Sequence, residues 1–408
     1  MKRRDVIKFG GMTALGGAIG SSAAQPKPGP NVKATQWGWP QPYEKISANS
    51  INWLKSKGWW PLRIGIQAYY ASAPLWAPLK LAEARGLSIE TPYFVFGAQQ
   101  NEAAVSGNLQ GNIYGSFPFV SYMLKSKTPM KVIANGAVNL RTALLVPLGS
   151  PVKTINDLSK LDHKPTIGLV AGSVSEFYLQ SSLRANGIKS SDVIFKTLAP
   201  ADMLLMPQGL DAVVQWDPFV TLMVEGRKNA RVVDSAYSYN FVHGVFAVMQ
   251  EIVDNAPDVV QALADMYIEG ILYTRHDPLG VRTLLKQQDA FRFFGDTEMS
   301  VLIDSAVKYK PTATYVFPEF WAAEDEQVTK WLFETGRIQR PLTKTELVSA
   351  FDKRFLGNTY AKLGWRVPER PPWIAPNWKG TVGKPPYPQY RVPEDVAQPW
   401  PEEHDLAR

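Results

Sequence analysis

Four short stretches carry the residues best suited to hold a ligand: 67–72, 115–118, 172–175 and 215–218. Gly172, Ser173, Val174 and Ser175 make the sharpest pattern. The glycine lets the chain turn tightly, and Ser173 can cap a helix running to Ala185. The free N–H groups of that first turn, with the two hydroxyls, are suited to an anion. The same four residues also fit a plain helix cap, and the spacing alone leaves both readings open. Trp216, Asp217 and Pro218 offer an indole to wall a cleft and a carboxylate to cap or to touch ligand. Tyr69 and Tyr70 are polar-tipped aromatics with two comparable uses, cleft wall or half-buried core. Ser116 and Phe117 complete the set.

These stretches follow segments that read as strands. Short apolar runs at 62–66, 93–96, 112–115, 131–134, 143–146, 166–170, 193–195, 212–214 and 231–233 are separated by helical patterns, among them 74–85, 118–125 and 173–185. From about 250 to 350 the pattern is mostly helical. Such alternation predicts an α/β fold of parallel sheets with right-handed crossovers. In that architecture ligands collect at strand carboxyl ends and helix N-termini.

Composition narrows the chemistry. The chain has no cysteine, which removes disulfides, thiolate metal sites and a cysteine nucleophile. His163, His243, His276 and His404 form no close ligand pair. No P-loop, dinucleotide glycine pattern or Gly-x-Ser-x-Gly elbow is present, so no cofactor is expected. The net charge is +7, of which residues 1–24 carry +3. The remainder is mildly basic and scattered, which argues against nucleic acid and suits a small anion.

The N-terminus reads as an address. Arg3 and Arg4 precede Val6 and Ile7, a weakly apolar run extends to Gly20, and Ser22, Ala23 and Ala24 follow. This order predicts a twin-arginine signal peptide over 1–24 and a mature chain starting near Gln25. The run is too short and glycine-rich to span roughly 30 Å of hydrocarbon. Residues 25–60 read as an irregular segment. Beyond about 365, prolines dominate, with Trp365, Trp373, Trp378 and Trp400 among them. So many prolines exclude regular structure, and so many indoles argue against free disorder. An extended strap with its indoles pressed into grooves is the expectation.

Several segments together resemble the periplasmic solute-binding proteins of the aliphatic-sulfonate, taurine and nitrate importer group. They are LRIGI at 62–66 followed by APLW at 73–76, GSPVKTINDL at 149–158, GSVS at 172–175, LAPAD at 198–202, and Gln208-Gly209 leading into DAVVQWDP at 211–218. The likeness covers roughly 60–345. It implies two α/β lobes joined by a two-strand hinge, in the periplasmic binding protein-like II manner, with an irregular Pro/Trp-rich C-terminal extension. Lobe 1 would comprise 61–141 and 240–350, lobe 2 would be 142–239, and the extension 351–408.

On that basis the chain is expected to be a periplasmic binding protein, not an enzyme. It would capture a small organic anion, of sulfonate or aromatic-acid type, as a monomer. It would deliver it to an ABC permease and its ATPase in the inner membrane. Arg141, before the hinge, and His243, after it, are the candidate cations. Tyr69, Phe117, Tyr178 and Trp216 would pack on the organic part. The alternatives are a twin-arginine-exported enzyme or a pyrimidine (thiamine-precursor) binding protein. The enzymatic branch of the latter is tied to cysteine, which this chain lacks.

Overall fold

Among the described residues, ten strands form two five-stranded sheets. The first has the order β2-β1-β3-β10-β4, built from β1 (Leu62–Gly65), β2 (Ile89–Glu90), β3 (Gly111–Gly115), β4 (Met130–Val138) and β10 (His243–Met249). The second has the order β7-β6-β8-β5-β9, built from β5 (Thr142–Pro147), β6 (Thr166–Leu169), β7 (Ile194–Thr197), β8 (Ala212–Trp216) and β9 (Ala230–Ser235). The computed structural model describes residues 37–67, 72–138, 142–236, 239–241, 243–292, 294–300, 303, 314–367, 369, 371, 378–382 and 384. The expected signal peptide, Tyr69, Tyr70, Arg141, Trp373 and Trp400 lie outside the described residues.

The sheets are mixed, where strand–helix alternation predicts parallel ones. β1 runs parallel to β2 and β3, and β6 parallel to β7 and β8. β10 is antiparallel to β3 and β4, and β5 is antiparallel to β8 and β9. The reason is connectivity. β5 follows β4 and β10 follows β9 after only short connections. Each therefore enters its sheet from the other lobe, with no crossover helix to reverse its direction.

The helices in the first half are α1 (Ala48–Ser56), α2 (Leu81–Ala84), α3 (Gly97–Val105), α4 (Ser116–Lys125), α5 (Val174–Ala185), α6 (Pro200–Met203) and α7 (Phe219–Thr221). The later ones are α8 (Gln250–Asn255), α9 (Pro257–His276), α10 (Pro278–Lys286), α11 (Pro318–Glu334), α12 (Lys344–Ser349) and α13 (Arg354–Lys362). Three local expectations change. Residues 93–96 are not a strand: Pro92 has no N–H to continue the ladder, its carbonyl takes the Ile66 N–H, and Phe96 caps α3. The helix expected over 74–85 breaks at Pro78, leaving a turn at Ala73–Leu75 and the short α2, with Lys80 at φ +55° between them. The segment 25–60, read as irregular, contains α1, whose N-cap Ser47 accepts the Ser50 N–H.

Segments ahead of β1 and after α12 are built into lobe 1. Arg85 and Glu269 form an ion pair of 2.7 Å with side chains 2% and 0% exposed. Trp37 Nε1–H and Tyr43 O–H both donate to the Glu269 carboxylate, and the Arg85 guanidinium lies over the rings of Trp39 and Tyr43. At the other end, the extension expected to be irregular opens with α13, which packs on α9. Thr359 donates to Asp265, and Lys362 reaches both Asp265 and Glu44. Trp365 and Trp378 are partly buried against the same core, Trp365 beside Tyr360 and Trp378 edge-on to Phe241. Among the described residues, the lobe 2 sheet is covered by α5 on one side and by 203–223 on the other.

Candidate functional site

Strands β3 and β6 end facing a shared cavity of about 480 Å3. One wall comes from lobe 1, through residues 95–101 and the start of α4; the other comes from lobe 2, through 170–174, Thr197 and Trp216. Leu332 and Arg337, from the end of α11 and the turn after it, close a third side.

On the lobe 2 side, Gly172 adopts φ +70°, the left-handed conformation that turns the chain off β6. Ser173 is the N-cap of α5: its Oγ accepts the Ser175 N–H at 3.1 Å and donates to the Val170 carbonyl at 2.7 Å. Glu176, three residues into the helix, reaches back and accepts the Gly172 N–H at 2.7 Å. Ser173 and Glu176 therefore form a variant of the serine–glutamate capping box. The helix end is already supplied with a carboxylate by its own chain. Arg337 balances that carboxylate with two hydrogen bonds from Nη2, at 2.7 and 2.8 Å, and lies over the Trp331 indole.

On the lobe 1 side, α4 starts at Ser116 with Gly115 as N-cap, and no side chain caps it. Pro118 has no N–H to leave open, so the first turn offers the amides of Ser116 and Phe117. Antiparallel pairing sets Gly244 against Gly115, which places His243 beside Ser116. His243 Nε2 lies 3.0 Å from Asp325 Oδ1, and both side chains are 1% exposed. The imidazole stacks on the Trp321 indole, with centroids 3.8 Å apart and planes at 12°. His243 Nδ1 has no hydrogen-bond partner among the described residues, and His243 lines the cavity.

Six residues singled out in the sequence come together on this cavity: Ser116, Phe117, Ser173, Val174, Trp216 and His243. Three do not reach it. Ser175 is wholly buried, its hydroxyl 3.2 Å from that of Ser173, because the second helical position turns inward under the cap. Tyr178 is one turn further down α5 and faces the sheet of lobe 2, where its hydroxyl donates to Asp234 at 2.9 Å. Asp217 spends its carboxylate on Thr221, accepting the backbone N–H at 3.0 Å and the hydroxyl at 2.7 Å. Burial raises the Asp234 carboxyl above its ordinary value, even though Ser182 and Tyr178 donate to it. Burial likewise pushes the Tyr178 hydroxyl well up.

Sequence reading missed Glu176, Arg337, Asp325 and Phe96, while Gln67, at the head of the stretch 67–72, does line the cavity. A Ser-x-x-Glu spacing over 173–176 was available as a signal for Glu176. Arg337 and Asp325 carry no local signal, since each meets its partner across a long separation in sequence, 161 and 82 residues. Among the described residues, no group of three His, Asp or Glu side chains is placed to hold a metal ion.

No family model matches the sequence, and no curated protein matches it. Solved structures do. The periplasmic aliphatic sulphonate binding protein SsuA from Escherichia coli is similar with a TM-score of 0.59 and 21% identity, over 70% of this chain and 96% of that one. The periplasmic nitrate-binding protein NrtA from Synechocystis PCC 6803 gives 0.57 and 14%, over 76% and 91%. The desulfurization enzyme DSZB, solved as a cysteine-to-serine mutant with biphenyl-2-sulfinic acid, gives 0.50 and 17%, over 74% and 99%. At these identities the likeness is one of fold. The chain has the two-lobed α/β fold of these binding proteins, periplasmic binding protein-like II.

Proposed function

We propose that this protein is an extracytoplasmic solute-binding protein that captures a small organic anion between its lobes and passes it to an ABC permease and its ATPase. The observation that carries this reading is the interlobe cavity itself. It joins an uncapped helix N-terminus, at Ser116, to apolar walls from Phe96, Phe117, Val174, Trp216 and Leu332. That combination suits an oxyanion head on an aromatic or bulky apolar body, so a sulfonate or aromatic acid fits better than nitrate. The proposed cycle is a hinge closure that ligand favours by binding the closed form better.

The fold also serves an enzyme, DSZB, solved with a cysteine replaced by serine, and this chain contains no cysteine. Binding without turnover is therefore the reading adopted. Export by the twin-arginine route, resting on Arg3 and Arg4, belongs to the same proposal.

A thermal-shift panel of benzenesulfonate, an aromatic carboxylate, taurine, nitrate and a pyrimidine tests it. At a hundredfold excess over Kd a ligand stabilises the fold by about 2.7 kcal/mol, enough to move the melting temperature by degrees. The expected result is a larger rise with benzenesulfonate or the aromatic acid than with nitrate, and unaltered ligand by mass spectrometry after incubation. No shift with any anion, or a converted ligand, overturns the reading.

A further inference from the structure

We infer that His243 receives the anionic head group through Nδ1 and that the ring takes up a proton from solvent when it does so. The inference rests on the anion-binding reading above and assigns the subsite and its proton. It starts from a buried ring whose two nitrogens have different surroundings. Nε2 faces the Asp325 carboxylate, which only accepts, so Nε2 carries the proton of the neutral ring. Nδ1 is then a bare lone pair. It has no partner among the described residues, and the residue lines the cavity beside the open N-terminus of α4.

A sulfonate or carboxylate head is acceptor-only and negative. Beside a neutral ring it would set lone pair against lone pair, with the Asp325 carboxylate adding repulsion from behind. A second proton on the ring reverses both effects. Nδ1–H donates to the head group, and the imidazolium neutralises Asp325. The stacked Trp321 face accommodates the cation. The other charged groups nearby are accounted for. Glu324, adjacent on α11, accepts the Phe241 N–H, and Arg337 is paired with Glu176 on the lobe 2 side. Lys125, at the far end of α4, also lines the cavity, and Phe351 presents only its ring to the imidazole. None of these replaces a donor at Nδ1.

Isothermal titration of benzenesulfonate into the full chain at pH 8, in two buffers of different ionisation heat, counts the protons. The expected result is uptake of about one proton per ligand, with affinity falling roughly tenfold per pH unit on the alkaline side. His243→Asn keeps a donor near the Nδ1 position but cannot take up a proton, so its binding should be independent of buffer and pH. Asp325→Asn removes the charge that favours the imidazolium and should weaken binding at pH 7 to 8 by tenfold or more. Binding whose heat does not depend on buffer in the unaltered protein overturns this inference and leaves the anion-binding reading intact. Unchanged uptake in His243→Asn overturns it too. No heat with benzenesulfonate at any pH overturns both.

Discussion

The two lobes solve one packing problem with unequal means. Lobe 2 is a sheet covered by α5 on one face and by 203–223 on the other, and its half-buried Asp234 accepts hydrogen bonds from two neighbours, Tyr178 and Ser182. Lobe 1 recruits segments from ahead of β1 and after α12. Residues 37–43 close over the Arg85–Glu269 pair, and α13 with Trp365 and Trp378 lies against the sheet's core. A buried ion pair is an insecure source of stability, because desolvation cancels much of the attraction. Its value here is positional: it fixes where the N-terminal aromatic residues lie. Among the described residues the added segments concentrate on lobe 1, while lobe 2 meets the later part of the chain through the Arg337–Glu176 and Arg227–Glu298 pairs.

The contrast can be broken by experiment. Glu269→Ala leaves the Arg85 guanidinium buried and unpaired, and the expected loss is roughly 3–5 kcal/mol. Urea unfolding followed by tryptophan fluorescence reads it, and a loss below about 1 kcal/mol would mean that lobe 1 is not braced there. Trp378→Ala removes an indole from the lobe 1 surface and should cost about 2 kcal/mol. Limited proteolysis of the tail should become faster in that variant, and an unchanged digestion pattern would show that the C-terminal end contributes nothing. Ser173→Ala acts on lobe 2 through the α5 cap, with an expected cost of about 1 kcal/mol. Measured beside ligand affinity, it separates cap from contact: a stability loss with intact affinity assigns the hydroxyl to the cap alone.

The smallest effect concerns pH. Burial raises the Asp234 carboxyl above its unfolded value, so its contribution to stability is fully present below about pH 3.9. It is lost as pH rises through the raised value. Asp234→Asn should therefore flatten the stability–pH curve over that window, and a variant curve parallel to that of the unaltered protein would remove the effect from lobe 2.

Much of the fold was legible because its signals are local. The runs at 62–66, 143–146, 166–170 and 212–214 are apolar, short and bounded by turn residues, and each lies in a strand or overlaps one. The orientation of β5 and β10 was not legible, since direction is set by which lobe a strand arrives from. At the site, Gly172 and Ser173 announced a turn and a cap, while Tyr178 misled. It is one turn along the same helix as Val174, yet helix tilt carries it from the cavity to the sheet. Asp217 misled for a related reason: a carboxylate ahead of a helix serves that helix first. Asp325 and Arg337 depended on how α11 lies across both lobes, which no spacing encodes.

The Arg337–Glu176 pair has a consequence for energetics away from any ligand. Glu176 heads a lobe 2 helix, whereas Arg337 leaves the end of α11, whose Trp321 stacks on His243 of lobe 1. On the proposed hinge closure, parting the lobes would sever this contact, so the pair would act as a fastener that weights the shut form before any solute arrives. Measured affinity for a ligand scales with the fraction of molecules already shut. Partly exposed as it is, with the arginine side chain 31% accessible, the fastener loosens as salt screens it. On the proposed function, the surrounding ionic strength would become a setting on how tightly the same cavity holds a ligand.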